Sequence, residues 1–249
     1  DAPDKTAIIL FTSGSESTPK GVPLSNYNIY STIQNYSTVF DPIPEDIVLG
    51  TLPFFHVFGF SVCLWLPLTM GIGVVFHPNP TEYEKIGKIV QKYKVTMLLG
   101  TSTLYRGFMK KWNMEQVSSV RLAFAGAEKL NEKVREKFYE KLGVNILEGY
   151  GVTESCSCIS TNPPDDFRHG SVGKLLPDVQ CKIVNTDTYD ELNPGEEGLI
   201  LIKGPMVMKG YYNSDELTRQ AFHDGYYITG DIGKLENGFL YITDRLKRF

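Results

Sequence analysis

VRLAFAGAEKLNEKVREKFYEKLGVNIL, residues Val120–Leu147, decides how the rest of the chain is read. Val120–Ala125 is an almost unbroken apolar run, the pattern of a strand covered on both faces. Asn131–Leu142 then places Val134, Phe138 and Leu142 at helical spacing, with charges on the other face. Asn131 is set to cap that helix and Gly143 to stop it. A second apolar run, Val144–Leu147, completes strand, helix and strand, the repeating unit of a parallel sheet.

Working outward, the same alternation extends to the amino end. Strands are expected at Thr6–Phe11, Ile47–Thr51, Ile72–Phe76 and Val95–Leu99, and helices at Ser25–Tyr36, Phe58–Leu68, Glu82–Tyr93 and Thr103–Trp112. The expected fold class is α/β, a mostly parallel sheet covered by helices on both faces. Ligands of such sheets collect at the loops leaving the carboxyl ends of strands, where Thr12–Gly21 and Gly149–Glu154 are expected to lie. Near Asn162-Pro163-Pro164-Asp165-Asp166 the pattern changes. Short strands are expected at Gln180–Val184, Gly198–Ile202, Tyr226–Thr229 and Phe239–Thr243, with turns at Asn193-Pro194-Gly195 and Glu236-Asn237-Gly238. The expected organisation is an α/β body over 1–165, a smaller β-rich subdomain over 166–243, and a terminal segment over 244–249.

Composition narrows the function. The chain of 249 residues is 42% apolar and 22% charged, with a net charge of −4. No basic run interleaves with aromatics, which argues against nucleic acid as partner. Ile47–Phe76 carries no formal charge, yet Pro53, Gly59, Pro67, Gly71 and Gly73 interrupt it. A spanning helix needs about 20 continuous apolar residues, so no transmembrane segment is expected, and peripheral membrane contact stays open. Asp1–Lys5 matches neither a signal nor a transit peptide. The cysteines, Cys63, Cys156, Cys158 and Cys181, form no CxxC pair. Cys156 and Cys158 read better as small buried residues than as a redox or metal fragment, and a reducing, cytoplasmic setting is expected.

Several segments carry chemistry. Phe11–Gly21 runs from an apolar strand into small hydroxyl residues and glycine, closed by Lys20. Backbone N–H groups, hydroxyls and one ammonium suit a polyphosphate, though a solvated turn reads equally well from this stretch alone. It is not a Walker loop, because Lys20 is followed by Gly21 and no Gly precedes it. Pro53–Gly59 sets His56 among aromatics, where a lone His is more often core than functional. Gly149–Glu154 places an aromatic, a hydroxyl and a carboxylate after a strand, and Tyr227–Asp231 puts a carboxylate after a glycine turn. Asp244–Arg248 is a charged run whose plain reading is a solvated tail.

In this order these segments resemble the acyl-adenylate-forming superfamily of acyl-CoA synthetases, luciferases and peptide-synthetase adenylation domains. Gly100–Thr103, Ala125–Leu130 and Ile146–Tyr150 are most similar to its acyl–acyl carrier protein synthetase branch, with 2-acylglycerophosphoethanolamine acyltransferases, or to long-chain fatty acyl-CoA synthetases. The resemblance implies ATP-dependent conversion of a carboxylic acid, with a fatty acid as the expected class, to acyl-AMP, then transfer to the thiol of acyl carrier protein or CoA. It implies that Thr12, Ser13, Gly14, Ser15, Thr18 and Lys20 hold the β- and γ-phosphates, and that Glu154 carries magnesium. Thr153 would contact the α-phosphate, Tyr150 the adenine, and Asp231 and Arg245 the ribose. Gly126 and Ala127 would let nucleotide and acyl group lie close to the backbone, with Glu148, Gly149 and Gly151 in the same nucleotide site. His56 would line the acyl and thiol approach, and Lys247 would be the pivot of a hinge.

Two departures stand out. Glu16-Ser17 replaces the family's usual Thr-Gly; Ser costs more than Gly if that position needs positive φ, and the added carboxylate would repel phosphate unless turned away. The resemblance also implies a following mobile domain with a catalytic Lys, so the chain is expected to act as a core that adenylates poorly. The alternative is a non-catalytic nucleotide- or acyl-binding module.

Overall fold

The structure is a computed structural model that describes residues 2–12 and 19–246. Its first two strands, β1 (Thr6–Thr12) and β2 (Lys20–Ser25), pair only with each other, antiparallel, with Thr12 opposite Lys20. The expected first strand therefore exists but does not enter the parallel sheet, and the loop after it joins two arms of a ribbon. β2 was not expected, because Pro23 interrupts its pattern; a two-stranded ribbon has free edges that tolerate proline, and Val22 and Leu24 are fully buried. Ser25 ends the ribbon and caps α1 (Asn26–Phe40): its Oγ accepts from Asn28 N–H, and Asn28 Oδ1 accepts from Ser25 N–H. The helix buries Ile29, Ile33, Tyr36 and Phe40, one stripe at helical spacing.

The parallel part comprises β3 (Ile47–Gly50), β4 (Gly73–Phe76), β5 (Met97–Gly100), β6 (Leu122–Ala125) and β7 (Ile146–Tyr150), in the spatial order 4-3-5-6-7. Every residue of β5 and β6 is buried, which is why these strands read as continuous apolar runs. Between β3 and β4 the chain is helical as α2 (Val57–Gly59), a π-type stretch over Phe60–Trp65, and α3 (Leu66–Met70). Helices α4 (Tyr83–Tyr93), α5 (Ser102–Lys111) and α6 (Glu132–Leu142) connect the remaining strands and pack side by side, while α1 packs on the 57–70 helices. The direction of winding reverses between β3 and β5, and sheets of this kind take ligands at the carboxyl ends of their strands.

At the opposite ends of these strands, three segments are tied by one buried carboxylate. Asp46, just before β3, accepts from Arg121 Nε at 2.8 Å, Thr96 Oγ1 at 2.6 Å and Ile43 N–H at 2.9 Å. Thr96 precedes β5 and Arg121 precedes β6.

Beyond β7 the chain turns strand-rich: β8 (Ser160–Thr161), β9 (Lys174–Leu175), β10 (Gln180–Val184), β11 (Gly198–Lys203), a short helix α7 (Asp215–Ala221), β12 (Phe222–His223), β13 (Tyr226–Glu236) and β14 (Phe239–Arg245). These strands continue the ladder of the parallel part. β8 pairs with β7, β9 with β8, and β14 with β9, so that twelve strands form one sheet among the described residues. One apolar core likewise runs through both parts. Asp244 and Arg245, expected in the terminal segment, are the last residues of β14. Among the described residues, no helix is long and apolar enough to cross a membrane.

Candidate active site

A cleft of about 490 Å³ opens at the carboxyl ends of β6 and β7, and residues from the ribbon, the parallel strands, α7 and β13–β14 line it. Thr12 and Lys20, the facing ends of the ribbon, both reach it. Ser13, Gly14, Ser15, Glu16, Ser17 and Thr18, which connect them, lie outside the described residues, as does Lys247. Gly126, Ala127, Gly149, Tyr150, Gly151, Thr153, Glu154, His56 and Arg245 also line the cleft.

The β7 end is shaped by close packing. Gly151 passes so near the Ser157 carbonyl that a Cβ would stand 1.4 Å from its oxygen, which excludes any side chain. The chain then makes one 3-10 turn, Thr153–Ser155, locked by Ser155 Oγ donating to Val152 O and accepting from Val152 N–H. Cys156 and Ser157 follow at positive φ, 52° and 105°. That turn aims Thr153 and Glu154 at the cleft. Glu154 Oε1 accepts from Tyr211 Oη at 2.7 Å, and the backbone oxygen of Glu154 accepts from Met208 N–H at 2.8 Å.

On the other wall, Tyr150 Oη donates to Asp231 Oδ2, and Arg245 Nε stands 3.6 Å from Asp231 Oδ1. Asp231 itself lies just behind the lining residues. A bulge places it: Gly230 adopts φ +77°, and Thr229 Oγ1 donates to Ile200 O while accepting from Asp231 N–H. Burial, followed by the adjacent Asp231 carboxylate, pushes the Tyr150 phenol well up. Burial raises the Asp231 carboxyl, partly offset by Tyr150 and Arg245. His56 caps α2 by accepting from Phe58 N–H at Nδ1, at 3.2 Å, and burial lowers its pKa. A Cβ on Gly126 would meet the Phe58 ring at 3.3 Å, and Ala127 sits at φ 67°.

Glu148 departs from expectation. It does not line the cleft; its Oε1 accepts from Leu130 N–H at 3.0 Å, and burial raises its carboxyl. It supports the loop before α6. Conversely, Tyr36, Phe124, Ser157, Cys158, Tyr211 and Tyr227 line the cleft without having been expected there. They read as ordinary aromatic or small core residues, and only tertiary packing reveals their position.

No group of three His, Cys, Asp or Glu residues able to hold a metal occurs among the described residues. A single carboxylate, Glu154, fits an ion that takes most of its oxygens from phosphate and water, as magnesium does. All four cysteines are free, and Cys63, Cys156 and Cys158 are buried.

The model of the AMP-binding enzyme family matches residues 1–212. Among curated relatives, a probable 4-coumarate–CoA ligase 3 of Dictyostelium discoideum is 36% identical over 99% of this chain and 46% of its own length. A long-chain-fatty-acid–CoA ligase of Bacillus subtilis (strain 168) is 33% identical over 97% of this chain and 44% of its own length. The crystal structure of ATP-bound MatB from Rhodopseudomonas palustris superposes with a TM-score of 0.93 at 32% identity, over 98% of this chain and 49% of that one. The chain spans about half the length of the curated relatives it matches.

Proposed function

The chain belongs to the AMP-binding enzyme family, and on that premise we propose that its cleft activates a carboxylic acid with ATP. One observation carries the reading. Lys20 of the ribbon, Thr153–Glu154 after β7, and the Tyr150–Asp231–Arg245 group come from distant segments and meet at one cleft. In the reaction, a carboxylate oxygen attacks the α-phosphorus of ATP, the bond from that phosphorus to the bridging oxygen breaks, and acyl-AMP and pyrophosphate result. A thiol then adds to the acyl carbon, its proton leaves, and AMP departs with the former phosphate–acyl oxygen.

The difficulty of the first step is bringing one anion to another, and fixed positive charges and donors lower it. Lys20, with residues 13–18, would hold the β- and γ-phosphates, and Thr153 the α-phosphate. Glu154 would hold magnesium, which when bound neutralises phosphate charge. Tyr150 would lie along the adenine, with Asp231 and Arg245 at the ribose. His56, Phe58 and Phe124 would face the acyl group and the incoming thiol. A fatty acid is the substrate class, acyl carrier protein or CoA the acceptor, and a reducing cytoplasm the setting; the four free cysteines support the last.

The test is pyrophosphate exchange by the full-length protein over an acid panel from short to long chain, followed by thioester formation with each acceptor; this chain by itself is expected to exchange poorly. Exchange is expected with fatty acids and is expected to fall at least about 100-fold in Lys20→Met, as for loss of a charge contact to the transition state. Mg·ATP binding with no exchange on any acid would overturn the catalytic reading in favour of a binding module.

A further inference from the structure

We infer that Tyr211 is a positioning residue of the nucleotide site, holding the Glu154 carboxylate and the Lys20 ammonium apart in fixed places. The inference rests on the nucleotide reading of the cleft. The Tyr211 hydroxyl donates to Glu154 Oε1 at 2.7 Å and lies 3.3 Å from the Tyr227 hydroxyl. Lys20 Nζ stands 5.3 Å from the centroid of the same ring, within the range of a cation–π contact. One side chain thus touches the cation that would meet phosphate and the carboxylate that would meet the metal.

The backbone around Tyr211 is anchored to each element carrying those groups. Tyr211 N–H donates to Thr218 Oγ1 at 2.9 Å, and Tyr212 N–H to Gly21 O at 2.9 Å, one residue past Lys20. Met208 N–H bonds Glu154 O at 2.8 Å, and Asn28 Nδ2 at the start of α1 bonds Pro205 O and Val207 O at 2.7 and 3.1 Å. The segment around 205–212 therefore staples ribbon, first helix and catalytic turn together.

The physical need is plain. An ammonium and a carboxylate facing one cleft would pair and cancel, leaving neither for its ligand. The phenol gives each its own partner, hydroxyl to carboxylate and ring face to ammonium. A partner that fixes a metal-binding carboxylate sets its direction, and removing such a partner costs about 10–100-fold in metal affinity.

The experiment is titration calorimetry of ATP on the chain, once with excess magnesium and once with EDTA, beside thermal melts. Tyr211→Phe keeps the ring and removes the hydroxyl: it should weaken Mg·ATP binding about tenfold and leave metal-free ATP within about twofold. Tyr211→Leu removes both contacts and should weaken both forms. In a Glu154→Gln background, Tyr211→Phe should have no further effect on Mg·ATP. Equal loss of both forms in Tyr211→Phe, no loss at all, or additive losses in the double variant would overturn the inference while leaving the nucleotide reading intact. A wild-type chain that binds neither form of ATP would overturn that reading as well.

Discussion

Replacing Arg121 by Met removes the countercharge of a carboxylate that no solvent reaches. Asp46 is fully buried and held by Arg121, Thr96 and the Ile43 amide. Arg121 also donates to the carbonyls of Phe40 and Asp41, at 3.2 and 3.1 Å. Breaking a buried pair costs about 3–5 kcal/mol. The Arg121 side chain is 34% exposed, so solvent screens its side of the pair and the lower end, about 3 kcal/mol, applies. For a chain of this size that is a fall in Tm of about 6–12 °C.

The pH dependence has a definite sign. Burial works against the charged Asp46, but hydrogen bonds from Arg121, Thr96 and the Ile43 amide outweigh it, so the carboxyl titrates below its ordinary 3.8. The stability it contributes is complete above that ordinary value and disappears as pH falls through the lower native one. Without Arg121 two of the influences that lower it are lost, and the native value rises. The gap between Arg121→Met and wild type is therefore widest at neutral pH and narrows on acidification. Circular-dichroism melts at a series of pH values read this directly, and replacing both partners (Asp46→Leu with Arg121→Met) should recover most of the loss. Because the pair sits at the ends of the strands away from the cleft, ATP affinity at 20 °C should stay within about twofold. A loss below about 1 kcal/mol, or a fall in ATP affinity without a fall in Tm, would refute the reasoning.

Three further outcomes are expected. Gly151→Ala forces a methyl against the Ser157 carbonyl; it should lower stability by about 1–3 kcal/mol and weaken ATP binding more than tenfold, and calorimetry showing wild-type affinity would contradict this. Burial raises the Asp231 carboxyl above its ordinary 3.8, so ATP affinity should begin to fall on acidification earlier than an ordinary aspartate allows, and Asp231→Asn should bind weakly with a flat profile over that range. The thiols of Cys63, Cys156, Cys158 and Cys181 are each pushed up to about 12 by burial, which leaves about one thiolate in 10⁴ at pH 8. A chromogenic disulfide should label the native chain slowly and all four sites after unfolding; rapid labelling of any one before unfolding would count against the packing described.

The parts legible from sequence are those where one period dominates. β5, β6 and α6 combine unbroken apolar runs with a clear helical stripe, and they fall within a few residues of expectation. A strand's pattern says nothing of its partner, however, so β1 was expected in the parallel sheet and instead pairs with β2. β8 and β9 contribute two residues each, too few to carry a period. In the cleft, Lys20, Thr153, Glu154 and Arg245 could be placed through their motifs. Tyr211 could not, since Glu154 and Lys20, which its side chain meets, lie far from it in sequence. Glu148 shows the converse: it sits inside a recognisable motif, yet its carboxylate turns to the loop before α6.

The two short strands β8 and β9 also set the order of assembly. The parallel strands β3 to β7 are all made, with every partner they have among themselves, by Tyr150, whereas β14 reaches β9 only when Phe239 is available to pair with Lys174. Long-range pairings of this kind form late, because loop closure must come before their contacts. Until then Asp231 has no strand to hold it against Tyr150, and one wall of the cleft is missing. A nascent chain released short of β14 would carry a folded α/β half with an open sheet edge at β9, a surface prone to pairing with another chain. The nucleotide, by binding only the finished cleft, would draw this last pairing to completion.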